Sequence, residues 1–276
     1  MDYLITELVL FRKDLKEKLT ESIDYTFLKN VSDESLKKSL DSAIENNFKH
    51  ICTYPNLIGK TKEYLSQRFN DITICSVAGF PYYNGKRVIK NSTHQKITLE
   101  ETEFALKNGA KEIDIFWDIT LFKAGLFNYV KKDIEQVVNL VKEQDSRNIV
   151  KVIVETCNLD KYGIINACKI VSESGADFIK TSTGFDRYGA RIEDVELMSK
   201  TIDNLERKIA IKASGGIETL QQSLNFLDIP YVERLGVGSA APKILKEVDE
   251  HIFWLSVNFI ILIKKSFYII YIVCYV

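Results

Sequence analysis

The chain contains 276 residues, of which 46% are hydrophobic and 27% are charged, with 13 glycines and only 4 prolines. Its 37 lysines and arginines nearly balance its 38 aspartates and glutamates, so the formal net charge is -1. These values are typical of one large globular domain or two small ones, and they exclude collagen, low-complexity disorder and small disulfide-rich scaffolds. Because the charges balance, no global field attracts nucleic acid, and we expect no nucleic-acid partner.

The cysteines indicate the cellular compartment, and the histidines indicate that no metal is bound. Five cysteines, an odd number without a Cys-x-x-Cys pair, favour a reducing compartment, so we expect a cytoplasmic protein. The first residues lack a basic stretch followed by an apolar core, and we therefore expect no signal peptide. His50, His94 and His251 lie far apart without metal-ligand spacing, so we expect no metal and no other cofactor.

Eight apolar runs rich in β-branched residues are predicted as strands. The inner runs, such as Val150-Lys-Val-Ile-Val, are nearly continuous rather than alternating, which is typical of parallel strands covered by helices. In chain order, the predicted strands are Ser22–Leu28, His50–Pro55, Ile72–Phe80, Glu112–Ile119, Val150–Thr156, Phe178–Thr183, Ile209–Ala213 and Arg234–Gly238.

Helical patterns fill the stretches between these strands. The first predicted helix has its cap at Ser32 and continues with apolar residues at helical spacing. The other predicted helices are Ile97–Leu106, Val130–Lys142, Lys161–Ser174, Ile192–Leu205 and Thr219–Leu227. Eight strand–helix units predict an α/β fold, a single-domain (β/α)8 TIM barrel over residues 1–250. A doubly wound open sheet is the alternative, since periodicity does not separate the two folds.

Small and hydroxyl-bearing residues gather where the predicted strands end. Asp24-Tyr-Thr26, Thr181-Ser-Thr-Gly184, Ser214-Gly-Gly216 and Gly238-Ser239 each follow a different strand. The carboxyl ends of barrel strands meet at one face, so these loops lie together. Because backbone N–H groups and helix N-termini bind phosphate, the sequence predicts a phosphate site at this face.

Two lysines, Lys180 and Lys212, stand inside apolar strands. Lysine is rarely buried without a partner, and the structural interpretation of either is a side chain that reaches solvent from a strand end. On neighbouring strands about 4.8 Å apart, the two side chains lie close together. Two ammonium groups about 4 Å apart, at an effective dielectric constant of about 20, repel by roughly 4 kcal/mol, which lowers a lysine pKa by about three units. A neutral lysine amine attacks carbonyl groups, so the pair predicts Schiff-base chemistry.

Other polar residues in the strands have a structural interpretation beside a functional one. Asp114 either moves protons beside the lysines or pairs with a buried cation. Lys151 either adds to the field of the two lysines or forms a structural ion pair with Glu155 or Asp114. For Asp24 we favour a capping or hydrogen-bonding role, and for Cys52 a buried or pocket-lining thiol.

At these residues the sequence resembles the deoxyribose-phosphate aldolases, a family of class I (Schiff-base) aldolases. The similarity runs from Thr20 to Glu247, and the two lysine-centred motifs are highly specific when found together in this order. The matching segments are Phe178-Ile-Lys-Thr-Ser-Thr-Gly184, Ile211-Lys-Ala-Ser-Gly-Gly-Ile217, Lys111-Glu-Ile-Asp114, Val150-Lys-Val-Ile-Val-Glu-Thr156, Ile23-Asp-Tyr-Thr26 and Ile51-Cys-Thr-Tyr-Pro55.

The resemblance implies a lyase that cleaves 2-deoxy-D-ribose 5-phosphate into acetaldehyde and D-glyceraldehyde 3-phosphate without a metal. It places the Schiff base on Lys180, the activating charge on Lys212 and the proton relay on Asp114. The only partner it implies is a small phosphorylated sugar, and a homodimer is a candidate assembly. The substrate-binding residues that we predict are Asp24, Thr26, Cys52, Lys151, Thr183, Gly184, Gly215, Gly216, Gly238 and Ser239.

Three segments depart from the family. Phe116-Trp-Asp118 is unusual after the relay aspartate, and the loop Phe80–His94 is longer than is normal for the family. The tail Ile252–Val276 does not resemble the family, and its two apolar runs are each shorter than the roughly 20 residues that span a bilayer. With two central lysines its insertion is near balance, so we do not favour a membrane span. We assign 251–276 as an apolar tail outside the barrel, with a gene-model artefact as our hypothesis.

Two other functions compete with this one. Another class I barrel aldolase or a transaldolase acting on a phosphosugar would use the same kind of lysine. A non-catalytic phosphosugar-binding protein would need the phosphate loops alone. Such a protein has no reason to keep a costly pair of buried lysines, Lys180 and Lys212, which favours an enzyme.

Overall fold

Eight parallel strands close into a barrel in the computed structural model, which describes residues 2–29, 32–68, 72–83, 88–89 and 94–251. Each strand pairs with its neighbours in chain order, and the eighth pairs with the first. The (β/α)8 barrel is therefore confirmed and the open sheet is wrong. The strands are β1 (Ile23–Thr26), β2 (His50–Thr53), β3 (Thr73–Ala78), β4 (Glu112–Phe116), β5 (Ile149–Ile153), β6 (Phe178–Lys180), β7 (Ala210–Ser214) and β8 (Val232–Val237).

Several strands end earlier than their apolar runs predict, because the residues that follow bond outside the ladder. β6 stops at Lys180, and the next residue, Thr181, turns its hydroxyl to the backbone N–H of Ser214 at 3.0 Å. β4 stops at Phe116, since the side chain of Asp118 caps the short helix that follows. The ends of the strands are thus determined by side-chain bonds at the carboxyl face of the barrel.

The helices surround the barrel and confirm the predicted ones. α2 begins at the predicted cap, where Ser32 and Ser35 bond each other's backbone in a capping box. The described residues also contain four helices that the sequence reasoning did not predict: α1, α3, α5 and α10. The helices are α1 (Asp2–Ser22), α2 (Asp33–Glu45), α3 (Ile58–Ser66), α4 (His94–Lys107), α5 (Ile119–Lys123), α6 (Phe127–Gln144), α7 (Lys161–Glu173), α8 (Ile192–Asp203), α9 (Leu220–Leu227) and α10 (residues 241–251).

The apolar core lies between the barrel and the helices. α6 shows the pattern, because Val130, Ile134, Val137 and Val141 recur every three or four residues and are all buried. Along a barrel strand, side chains alternate between the helix side and the interior. The interior therefore takes every second residue of each strand, and several of these residues carry charges.

The two termini of the barrel are joined by ion pairs. Asp249 of α10 accepts from Arg12 at 2.6 Å and from Lys16 at 2.7 Å, both on α1. Side chains of α10 such as Ile244 and Val248 are buried in the apolar core. α1 and α10 therefore belong to the barrel domain.

Two predicted features fall on residues that the structure does not describe. In the loop Phe80–His94, residues 84–87 and 90–93 lie outside the described part, and the remainder contains the antiparallel pair Tyr82–Tyr83 and Val88–Ile89. The tail Ile252–Val276 also lies outside it, so the assignment of 251–276 stays a prediction. Among the described helices, none has the length and the apolar character that crossing a bilayer requires.

The boundary of the barrel domain can be tested by truncation. We expect a chain that ends at Glu250 to unfold within a few degrees of the full chain, because it keeps every strand and both ion pairs of Asp249. Thermal unfolding followed by circular dichroism measures this. A chain that ends at Ala240 is the control, and it should lose cooperative unfolding because α10 is removed. A large loss of stability in the longer chain would contradict the boundary.

Candidate active site

A cluster of buried charges fills the interior of the barrel. Six of its members are at most 2% exposed, and the seventh, Arg234, has a side chain that is 17% exposed. We call these seven residues the interior cluster. Its members are Asp24, Glu112, Asp114, Lys151, Lys180, Lys212 and Arg234.

Asp114 lies at the centre of the interior cluster and binds three lysines. Its Oδ2 accepts from Lys180 Nζ and Lys212 Nζ, each at 2.7 Å, and its Oδ1 accepts from Lys151 Nζ at 3.0 Å. Burial by itself raises a carboxyl pKa, but the three ammonium groups hold the pKa of Asp114 well below its usual range. The carboxylate is therefore ionised, and it joins strands β4, β5, β6 and β7 through one functional group.

Lys180 and Lys212 are neighbours as predicted, but the electrostatic interaction between them differs from the predicted one. The two residues are register partners on β6 and β7. The structure places Asp114 Oδ2 at 2.7 Å from both nitrogens, so the repulsion expected from the sequence is offset by a shared negative charge. Lys212 also binds Asp24. Burial lowers the pKa of Lys212, yet Asp114 and Asp24 raise it above its ordinary value.

Lys151 is held by three carboxylates. Its Nζ binds Glu112, lies 3.0 Å from Asp114 Oδ1 and lies 3.5 Å from Asp24 Oδ2. Although burial lowers the pKa of Lys151, these carboxylates raise it well above its ordinary value. Asp114 is thus confirmed as a partner, whereas Glu155 is wrong. Glu155 instead accepts from the backbone N–H of Thr183 at 3.3 Å and orients the loop after β6.

The residues of the interior cluster that lie toward the amino ends of the strands were not predicted from the sequence. Arg234 Nε lies 3.4 Å from Asp24 Oδ1, and its second guanidinium nitrogen lies 3.8 Å from Glu112 Oε1. His50 Nδ1 lies 3.3 Å from the same oxygen of Glu112. Glu112 is two residues before Asp114 on one strand, so the two-residue period of a strand is the signal that would have found it.

Of the two roles favoured for Asp24, the hydrogen-bonding role is confirmed, because its carboxylate accepts from Lys212, and the capping role is wrong. Asp24 does not cap a helix, because its side chain lies fully buried between Lys212, Lys151 and Arg234. Burial raises its pKa, but the ammonium groups of Lys212 and Lys151 lower it below the ordinary value overall. Asp24 is therefore a structural anion of the interior cluster.

The charges of the interior cluster do not balance. Three carboxylates face four cationic side chains when every lysine is protonated. Lys151, Lys212 and Arg234 each contact at least two of these carboxylates, whereas Lys180 contacts Asp114 alone. Lys180 is therefore the cation of the interior cluster that has the fewest carboxylate contacts.

A cavity of about 490 Å³ opens at the carboxyl ends of the strands, and Lys180 lines it. Its wall includes eight of the predicted site residues. They are Thr26, Lys180, Thr183, Gly184, Gly215, Gly216, Gly238 and Ser239. The other predicted residues do not line the cavity and lie in the barrel interior. They are Asp24, Cys52, Asp114, Lys151 and Lys212.

Close approach of the loops that follow β6 and β7 requires glycines at and beside the cavity wall. Gly184 and Gly215 adopt φ values of +81° and +86°, which disfavour other residues. A Cβ atom at Gly189 would lie 2.1 Å from the carbonyl oxygen of Gly215. The backbones of the two loops therefore pack against each other without intervening side chains.

Cys52 is buried as predicted, beside Cys75 on the next strand. Their thiols lie 4.0 Å and 3.1 Å from the carboxylate oxygens of Asp114. Together with Asp114 they form one of two described groups whose donor atoms lie within 4.8 Å of one another. In this group Lys151 Nζ already lies 3.5 Å from Cys75 Sγ, so an ammonium group occupies the place of a cation.

The comparisons with known proteins agree with one another. A model described as DeoC/LacD family aldolase matches residues 11–229. A deoxyribose-phosphate aldolase of Thermococcus gammatolerans is 38% identical over 80% of this chain and 92% of that protein. A deoxyribose-phosphate aldolase of Caldicellulosiruptor saccharolyticus is 37% identical over 81% of this chain and 96% of that protein.

A solved structure is also similar in fold. The aldolase called QR15 superimposes with a TM-score of 0.72 at 28% identity and covers 85% of this chain and 98% of its own. The similarity therefore extends over nearly the whole barrel of that aldolase.

The interior cluster predicts how stability depends on pH. Asp24, Glu112 and Asp114 have lowered pKa values in the folded chain, so the unfolded chain takes up protons below about pH 4 and stability is lost there. We expect the urea midpoint to fall steeply between pH 4 and pH 2. In the Glu112→Gln variant the fall should be shallower, since one buried carboxylate is missing. A midpoint that stays constant over this range would contradict the charged interior.

Proposed function

Since the chain belongs to the DeoC/LacD aldolase family, we propose that it cleaves 2-deoxy-D-ribose 5-phosphate through a Schiff base on Lys180. The products of this cleavage are acetaldehyde and D-glyceraldehyde 3-phosphate. One observation carries the choice of residue: Lys180 is the lysine of the interior cluster that lines the cavity, and it contacts a single carboxylate. It combines access to the cavity with the fewest carboxylate contacts among the cations of the cluster.

The reaction begins with an imine. The neutral amine of Lys180 attacks C1 of the open-chain sugar aldehyde, and loss of water from the adduct gives an iminium ion. The C3 hydroxyl then loses its proton, the C2–C3 bond breaks, and its electron pair moves into an enamine on C1 and C2. The three-carbon product leaves as D-glyceraldehyde 3-phosphate.

The second half of the reaction returns the enzyme to its starting form. The enamine takes a proton at C2, and water hydrolyses the resulting iminium ion to acetaldehyde and free Lys180. Asp114, at 2.7 Å from both Lys180 Nζ and Lys212 Nζ, is placed to pass protons between these nitrogens and a bound water. We assign the proton relay to Asp114 and the retained positive charge to Lys212.

The cavity supports both ends of this substrate. The phosphate fits the loops of Gly184, Gly215 and Gly238, where backbone groups reach the wall. Leu28 lines the same cavity and belongs to a small apolar cluster with Cys52, Cys75 and Val77. An apolar wall suits a sugar without a hydroxyl group at C2, because a hydroxyl there would lose its hydrogen bonds to water.

Two further proposals concern location and assembly. The described cysteines, Cys52, Cys75, Cys157 and Cys168, are free thiols, which supports the cytoplasm as the site of the enzyme. We keep the homodimer as the proposed assembly, and size-exclusion chromatography with light scattering measures it.

Trapping of the imine tests the proposed function. We expect borohydride to fix acetaldehyde on Lys180 as an ethyl group, located by peptide mapping. The Lys180→Arg variant should lose at least about a thousandfold in kcat, because a guanidinium group does not form the imine. The control is Lys200→Arg, which changes an exposed lysine of α8 and should remain active. Ethylation of another lysine, or failure to form both products in equal amounts, would contradict the proposal.

Lys29 provides a test of the phosphate end. Among the described residues of the cavity wall, Lys29 and Lys180 carry the positive charges, and Lys180 is used by the imine. An exposed ion pair contributes about 1 kcal/mol, so we expect Lys29→Ala to raise the KM for 2-deoxyribose 5-phosphate about fivefold.

The KM for unphosphorylated 2-deoxyribose should not change in the same variant, since Lys29 would have no anion to bind. Lys37→Ala, on the exposed side of α2, is the matched control and should leave both KM values unchanged. Equal rises of KM for the two sugars would show that Lys29 does not bind the phosphate.

A further inference from the structure

Arg234 closes the interior cluster at the amino ends of the strands, away from the cavity. It lies on β8 as the register partner of Lys212 on β7. Its guanidinium contacts Asp24 at 3.4 Å and Glu112 at 3.8 Å, and it does not line the cavity. It therefore has no contact with substrate and acts only through other members of the cluster.

Arg234 shares both of its carboxylates with lysines. Asp24 lies between Arg234 and Lys212, and Glu112 lies between Arg234 and Lys151. Both lysines also contact Asp114, which is the single carboxylate partner of Lys180. A continuous series of ion pairs thus connects the guanidinium at one end of the barrel with the cavity at the other.

We propose that Arg234 is a positioning residue that supplies the third permanent positive charge of the interior cluster and thereby favours the neutral amine of Lys180. This inference rests on the proposed Schiff-base function. With Arg234 present, three carboxylates are matched by Arg234, Lys151 and Lys212, so Lys180 is able to lose its proton. Without it, the same carboxylates hold all three lysines as ammonium ions.

Charged groups on the surrounding strands favour or disfavour the charged form of Lys180, and the test must separate their effects. Asp114 on β4 and Asp24 on β1 favour its charged form, as does Glu112. Lys151 on β5, Lys212 on β7 and Arg234 on β8 disfavour it. The remaining titratable side chains of the interior are those of His50, Cys52 and Cys75. Removal of one charge should therefore shift the pH dependence of imine formation in a direction given by its sign.

Packing is the alternative role for Arg234. Its guanidinium carbon lies 5.9 Å from the centre of the Phe178 ring, so truncation also removes a cation–π contact. A packing role predicts lower stability and lower activity at every pH. A charge role predicts a displaced pH profile that another cation at the same position restores.

The experiment measures the rate of borohydride trapping of acetaldehyde on Lys180 as a function of pH in the full chain. We expect Arg234→Gln to move the midpoint of the profile upward by about one pH unit, because the variant lacks one positive charge of the cluster. Arg234→Lys should restore the midpoint. Glu112→Gln should move it downward, because this change removes a negative charge.

The outcomes of this experiment test the role of Arg234 and the proposed function separately. Equal midpoints in Arg234→Gln and the unchanged protein overturn this inference, even if the rates differ. If Arg234→Gln does not fold, a midpoint in Glu112→Gln that is unchanged or higher overturns it, and a lower one supports it. No trapping on Lys180 in the unchanged protein overturns the proposed function itself and with it this inference.

Discussion

The carboxylate of Asp114 is the interaction on which the barrel interior depends. Ions lose several kcal/mol each on burial, so buried charges persist only where partners of opposite sign surround them. Asp114 provides such a partner to Lys151, Lys180 and Lys212, at distances of 2.7 to 3.0 Å. Without Asp114, Lys180 would lose its carboxylate partner in the interior cluster, while Lys151 and Lys212 would keep only Asp24 and Glu112.

The geometry of a parallel barrel makes this arrangement possible. Asp114 and Lys151 are register partners on neighbouring strands, as are Lys180 and Lys212, so interior side chains at one level converge on the axis. On the other side of the cluster, Gly236 leaves room for the side chain of Lys212, since a Cβ atom at Gly236 would lie 3.3 Å from Lys212 Cε. The structure and the proposed chemistry thus share one site, in which the ion pairs that hold the interior together leave Lys180 with a single carboxylate partner.

The fold and the reactive part of the site were largely predictable from the sequence, because both are encoded locally. Each strand is an apolar run with its own flanking signals, and Lys180 and Lys212 stand out as charges inside such runs. The ion-pair partners were less predictable. Arg234 and Glu112 are separated by more than a hundred residues, and their proximity follows only from closure of β8 onto β1. The partners of Asp24 were unpredictable for the same reason, since its cations come from other strands.

Neutron crystallography of the deuterated protein at about pH 8 tests the central claim most directly, because it locates the protons of each lysine. The charge arrangement predicts three deuterons on Nζ of Lys151 and of Lys212, and none on the carboxylates of Asp24, Glu112 and Asp114. A deuteron on any of these carboxylates, or only two deuterons on Lys151 or Lys212, would contradict the account, because the ion pairs that hold the interior together would then be missing.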